Sequence, residues 1–227
     1  HREELEQVYN LLADDWSRKV LQNVVEYKLS GEIRLLRACE SNPREAWKNI
    51  LKPSAEEHYM DLGAYTGDTI MEFISYARAW RRITALEPDS ETFARLEKNT
   101  AALHDCILYR LGAYSRYARQ PFAGGAGRGS HLAEDGAMTE LDSVDNILCG
   151  QPVTLLNVDT EGMEAEAIAG MAKTLRRHRP KLLLAAYHRS EDLWRLPLEV
   201  LAIQPEYKVY LRHYPCLPAW DVNYYFV

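Results

Sequence analysis

From residue 58 onwards the chain switches back and forth between two periods. Short apolar runs at 58–61, Ile83–Leu86, Ile107–Leu111, Thr154–Val158 and Leu182–Tyr187 read as strands. Between them Thr69–Trp80, Ser90–His104, roughly Leu141–Leu148 and Met163–Arg177 carry helical spacing. Few architectures accept such an alternation. It predicts an α/β fold, a mainly parallel sheet with helices on both faces and right-handed crossovers. Ligands in such sheets bind beyond the C-terminal ends of the strands. The residues just after each strand are therefore where chemistry is to be sought.

The two ends of the chain depart from this rhythm. Tyr207–Tyr214 and Val222–Val227 are strand-like, and only seven residues with two prolines, Pro215 to Asp221, separate them. A parallel crossover needs a dozen or more residues, so these strands are expected to pair antiparallel. At the other end, Leu5, Val8, Leu11, Leu12 and Trp16, then Val20, Val24 and Leu29, recur at helical spacing. Ser30-Gly31 reads as a stop and Ser41-Asn42-Pro43 as a new start. Residues 1–54 are expected to form a helical cap, and 55–227 the main domain. The stretch Gly124 to Ser130 lacks the Lys-Ser/Thr ending of a phosphate loop and reads as a surface loop or lid.

Bulk properties narrow the class. The formal net charge is −6, so no chain-wide basic stripe argues for nucleic acid. Cys39, Cys106, Cys149 and Cys216 are scattered, which suggests neither a zinc cluster nor a disulfide framework and fits reduced cysteines in a cytoplasmic protein. No apolar run approaches the roughly 20 residues that span a bilayer, and no leader pattern is visible.

Candidate site residues follow the strands in order. After the first comes Asp61-Leu62-Gly63-Ala64-Tyr65-Thr66-Gly67-Asp68. Its glycines permit a tight turn and a close backbone approach, and the helix beyond it aims free N–H groups that suit a carboxylate. An ordinary turn before a helix would look the same. After the second strand, Glu87 stands where an acid can accept both ribose hydroxyls. After the third, Gly112-Ala113-Tyr114 offers backbone, at Ala113, for an adenine. After the fourth, Asp159 and Glu161 can orient an alcohol, act as base or bind a divalent metal, although Glu161 also suits the N-terminus of the following helix. After the fifth, His188 can take a proton near neutral pH.

These segments resemble the FkbM-type methyltransferases over about residues 55–227. The carriers are Tyr59 to Thr69, Leu86-Glu87-Pro88, Leu155 to Glu164 with its Asp159-Thr160-Glu161-Gly162 core, Ala186-Tyr187-His188, Asp192 to Pro197 and Tyr210 to Tyr214. The resemblance implies a Rossmann-like class I methyltransferase fold, with a seven-stranded mainly parallel sheet and a C-terminal antiparallel hairpin, plus N-terminal helices. It implies S-adenosylmethionine as cofactor and O-methylation of a sugar or natural-product-type acceptor. Asp61, Gly63 and Gly67, with their neighbours Ala64, Tyr65 and Asp68, are implied for the methionine end, and Glu87 for the ribose. Asp159, Glu161 and His188 are implied as active-site positions, and a divalent metal stays open. Tyr65-Thr66 departs from the Asn and apolar residue common in relatives and alters one wall of the pocket. A nicotinamide-dependent oxidoreductase is the rival enzyme, opposed by the missing G-x-G-x-x-G and by the terminal hairpin. A non-catalytic binding module on the same fold is the other rival.

Overall fold

In the computed structural model, residues 1–123, 131–132, 137–216 and 221–227 are described. Seven strands share one mainly parallel sheet that includes an antiparallel C-terminal hairpin. Contacts divide the chain into two compact units, Pro53–Pro180 and a second made of His1–Lys52 with Lys181–Val227.

The Pro53–Pro180 unit holds β1 (His58–Leu62), α5 (Asp68–Ala77), β2 (Arg82–Leu86), α6 (Ser90–Thr100), β3 (Cys106–Tyr109) and β8 (Leu155–Val158). Its strands run parallel in the order β8-β1-β2-β3. Leu62 pairs with both Leu86 and Val158, and Leu86 pairs with Tyr109, so the strand ends are level. The loops that follow them therefore leave from one edge. Tyr59, Met60, Leu62, Ile83, Leu86, Leu155 and Leu156 are buried, as expected of parallel strands covered on both faces. Ile70 and Phe73 of α5 are buried as well, and Phe73 stacks on Tyr59 at 4.2 Å between centroids.

Two features of this unit differ from expectation. The third strand stops at Tyr109 rather than Leu111, and a second sheet of order β4-β7-β5-β6 follows it, from β4 (Gly112–Ala113), β5 (Ala118–Ala123), β6 (His131–Leu132) and β7 (Ala137–Asp142). Its strands carry Gly112, Pro121 and few β-branched residues, so their local preference is weak and pairing decides them. Residues 141–142 consequently belong to a strand, and α7 (Val144–Leu148) starts only after Ser143 caps it. The expected helix 163–177 is broken at Met171 into α8 (Glu164–Gly170) and α9 (Ala172–His178). Asp145 accounts for the new start: its carboxylate accepts from Lys173 N–H (3.0 Å) and Thr174 N–H (2.8 Å), capping α9 from another helix. Gly124 to Ser130, read as a loop or lid, lies outside the described residues.

The second unit takes its strands from the C-terminal region and most of its helices from the N-terminal one: α1 (Arg2–Leu11), α2 (Asp15–Ser30), α3 (Ile33–Arg37), α4 (Pro43–Glu45), a π-helical turn at Ala46–Leu51, β9 (Lys181–Ala185), α10 (Asp192–Ile203), β10 (Val209–His213) and β11 (Val222–Phe226). The strands pair antiparallel in the order β10-β11-β9. Gly31 ends α2 in the left-handed conformation that a glycine adopts without strain, and Asn42 caps α4 by accepting from Arg44 N–H at 3.0 Å. Helix α2 packs on β10 through polar groups: Ser17 Oγ accepts from Leu211 N–H at 2.9 Å and from the Arg212 guanidinium at 2.9 Å. Helix α10, unrecognised as a helix in the sequence, carries Pro197 inside it.

Candidate active site

The loop after β1 has its shape because residue 63 lacks a side chain. Gly63 has φ 84°, and a Cβ there would lie 1.9 Å from the Asp159 carbonyl oxygen. The Asp159 N–H in turn donates to Leu62 O at 3.0 Å, so the loops after β1 and β8 touch backbone to backbone. The Gly63 and Ala64 amides both donate to Leu86 O, at 3.0 and 2.9 Å. Tyr65 then sits at φ 47°, a left-handed conformation unusual for a tyrosine, and its N–H donates to Glu87 Oε2 at 2.9 Å. That bond joins two candidates that sequence order separates by 22 residues.

Gly67 forms the N-cap of α5 at φ 91°, and no side chain bonds to the cap. The first intrahelical bond runs from Met71 N–H to Gly67 O at 3.0 Å. The first-turn amides that precede it point along the helix axis, out of its N-terminal end. A first turn of this kind suits an anionic group, here the carboxylate of an amino acid.

Glu87 is 6% exposed. Its Oε1 accepts from Asp89 N–H at 2.9 Å, so each carboxylate oxygen holds one amide and keeps a further lone pair. Burial pushes its pKa up to about 7 against those bonds. Asp61 is different. It is 0% exposed, and its oxygens accept from Tyr59 Oη at 3.1 Å and Asn157 Nδ2 at 2.8 Å. Burial raises it to about 7 as well. Its carboxyl group is enclosed within the sheet, where it links β1 to β8.

Ala113 is buried and pairs with Asp142, and the Tyr114 N–H donates to Asp142 O at 2.9 Å. Gly112 lies against Pro88, 3.7 Å from the Cβ it lacks, which sets β4 beside the Glu87 loop. A further close approach is made at Gly170 in α8. A Cβ there would stand 1.9 Å from Tyr114 O, so this helix reaches the loop only through a glycine. The helical pattern around Gly170 held no sign of that approach.

Asp159 and Glu161 follow β8. Glu161 takes φ 54° and lies outside α8, whose first turn holds Glu164 and Glu166 instead. Glu161 thus stands just before the N-terminus of α8, and Glu164 and Glu166 add acidic charge to the first turn itself. Glu164 is 1% exposed, and its Oε1 accepts from Thr160 N–H (2.8 Å), Thr160 Oγ1 (3.1 Å) and Gly162 N–H (3.2 Å). A Glu164 carboxylate oxygen lies within 4.8 Å of one of Asp159. His188 belongs to the other unit, just after β9, with its ring 4.2 Å from that of Tyr187 at a tilt of 41°.

Fold and loops together define a class, the Rossmann-like methyltransferase fold. A fibrillarin of Aeropyrum pernix, solved with natively bound S-adenosyl-L-methionine, superposes with a TM-score of 0.52 at 11% identity, over 81% of this chain and 71% of that one. An rRNA methylase of Streptococcus thermophilus gives 0.51 at 11% identity, over 82% and 96%. Residues 61–210 match the methyltransferase FkbM domain, and the chain belongs to that family. A methyltransferase FkbM of Methylobacillus flagellatus superposes with a TM-score of 0.87 at 25% identity, over all of this chain but only 58% of the other. No curated protein matches the chain.

Proposed function

We propose that the chain binds S-adenosylmethionine and transfers its methyl group to a hydroxyl of a sugar or natural-product-type small molecule. The observation that carries the reading is the bond from Tyr65 N–H to Glu87, which sets the N-terminal end of α5 and a buried acid in one joined loop pair. These residues fit the two polar ends of the cofactor: the positive N-terminal end of a helix for its carboxylate, and an acid with further lone pairs for its ribose hydroxyls. In this reading Gly63, Ala64, Tyr65, Gly67 and Asp68 shape the methionine end, Asp61 braces the strand beneath them, and the backbone at Ala113 meets the adenine. When bound, the cofactor supplies a methyl group already activated on a positively charged sulfur.

The protein's remaining tasks are alignment and proton removal. A neutral alcohol is a poor nucleophile, so a base is required as the new bond forms. Asp159 and His188 are assigned that task, and Glu161 orients the acceptor or holds a divalent cation with Asp159. Full activity in excess chelator would remove the cation from the scheme.

Calorimetry with S-adenosylmethionine and with NAD tests the cofactor. Binding of the first alone supports the reading, binding of NAD alone favours the oxidoreductase, and binding of neither favours a non-catalytic module. Methyl-labelled cofactor offered with a panel of monosaccharides and polyketide-type alcohols then tests the acceptor class. Asp159→Asn or His188→Ala should lower turnover by about a hundredfold for whichever residue is the base. If both variants keep full turnover, the assignment is wrong.

A further inference from the structure

Resting on that reading, we propose that Glu164 is the positioning residue of the acceptor-side loop: its carboxylate sets the backbone from Asp159 to Gly162 and so aims Asp159.

Three observations meet here. Glu164 is 1% exposed, and one of its oxygens gathers three donors from the loop: the amides of Thr160 and Gly162 and the Thr160 hydroxyl. The loop needs such a clamp, because two successive residues, Glu161 at φ 54° and Gly162 at φ 94°, are left-handed, and the first is not a glycine. A non-glycine residue in that region persists only where its surroundings over-determine it. Finally, the other end of the loop is tied down independently, through Asp159 N–H to Leu62 O at 3.0 Å and the contact at Gly63. Asp159 therefore stands between two anchors, one on β1 and one on Glu164. The Asp159 and Glu164 carboxylates also come within 4.8 Å of each other, so a change at 164 alters both the direction and the electrostatic surroundings of Asp159. Glu164 turns back into its own loop, with no acceptor contact assigned to it; its effect passes through Asp159.

The test uses the whole chain with S-adenosylhomocysteine as probe and compares Glu164→Ala with Glu164→Gln. The alanine removes the acceptor oxygen; the glutamine keeps one oxygen to accept from the loop and exchanges the charge and the second oxygen for an NH2 group. In the alanine variant, hydrogen exchange at the Thr160 and Gly162 amides should speed up by about tenfold, and the side-chain carboxyl carbon resonance of Asp159 should move. Amides on β1 and the probe's affinity should stay within about threefold. Glu164→Gln should restore slow exchange at both amides. A residue that merely stabilised the fold would speed exchange throughout β1 and β8 and weaken the probe in step.

Unchanged exchange at both amides in the alanine variant, or equal loss of protection in the glutamine variant, would overturn the proposal. If the alanine variant does not fold, the glutamine variant decides: retained protection with a displaced Asp159 resonance supports the role, and lost protection or an unmoved resonance rejects it. Failure of the unaltered chain to bind the probe would sink the methyl-donor reading and leave the exchange result on Glu164 standing.

Discussion

Asp61 shows how one residue's surroundings reassign it. In the sequence it reads as a loop-edge acid at the methionine end; in the structure its carboxyl is wholly enclosed and held by Tyr59 and Asn157. Burial lifts its pKa from 3.8 to about 7. The folded state therefore keeps a proton that the unfolded chain releases, and the stability from this group is present below pH 4 and lost as pH rises to about 7. Asp61→Asn removes the titration while keeping the shape. Its stability relative to the unaltered chain should improve steadily from pH 4 to 7 in urea unfolding; parallel curves would show that the buried acid does not titrate. Glu87, raised for the same reason to about 7, leaves a residual slope of the same sign. The types of Asp61, Gly63, Glu87 and Asp159 were readable because each lies at a strand end. The role of Glu164 was not, because its three partners depend on the left-handed turn at Glu161 and Gly162, which no local pattern announces.

At the scale of elements, α10 is the instructive case. A proline in its interior removes one donor, that of residue 197, and so orphans the carbonyl of Leu193 four residues earlier. The Tyr224 hydroxyl on β11 donates to that carbonyl at 2.6 Å. The defect in the helix and the buried tyrosine on the strand are one structural device. Tyr224→Phe should lower stability by about 1–3 kcal/mol, since a buried carbonyl loses its partner. Adding Pro197→Ala to that variant supplies the missing N–H and should recover much of the loss. Two strictly additive effects in a double-mutant cycle would refute the pairing. The same logic explains why α9 begins where Asp145 reaches it, a capping arrangement that links residues 28 and 29 positions apart. Sequence periodicity sees helices as single stretches and cannot see a cap donated from elsewhere in the chain.

At the scale of the molecule, the chain's two ends share one compact unit, and a buried charge joins them. Arg212, 3% exposed, lies 2.8 Å from Asp14 and 3.0 Å from Glu45 and donates to Ser17 Oγ at 2.9 Å. The two carboxylates hold the guanidinium charged, its pKa above the ordinary arginine range despite burial. Removing one side of such a cluster strands the other. Asp14→Asn with Glu45→Gln should lower stability by about 3–5 kcal/mol, by leaving the guanidinium unpaired. A triple variant that adds Arg212→Met should be more stable than this double variant, because an apolar side chain of similar length needs no partner. A triple variant no more stable than the double would show that packing, not charge, makes the joint. Among the described residues, no helix is long and apolar enough to cross a membrane.

The alternating α/β class, the antiparallel tail and the identity of the residues after each strand were legible in the amino-acid sequence alone. All of these rest on local periods, on glycine's access to positive φ and on the length a crossover requires. Which of those residues meet follows from the folded arrangement. Glu87 receives Tyr65, Asp61 turns into the sheet, Glu164 clamps the loop of Asp159, and the small second sheet forms from segments of weak local preference. The physical reason is that hydrogen bonds and close approaches between distant segments depend on register and on missing side chains, as at Gly63 and Gly170, which acquire meaning only once the backbone opposite them is in place.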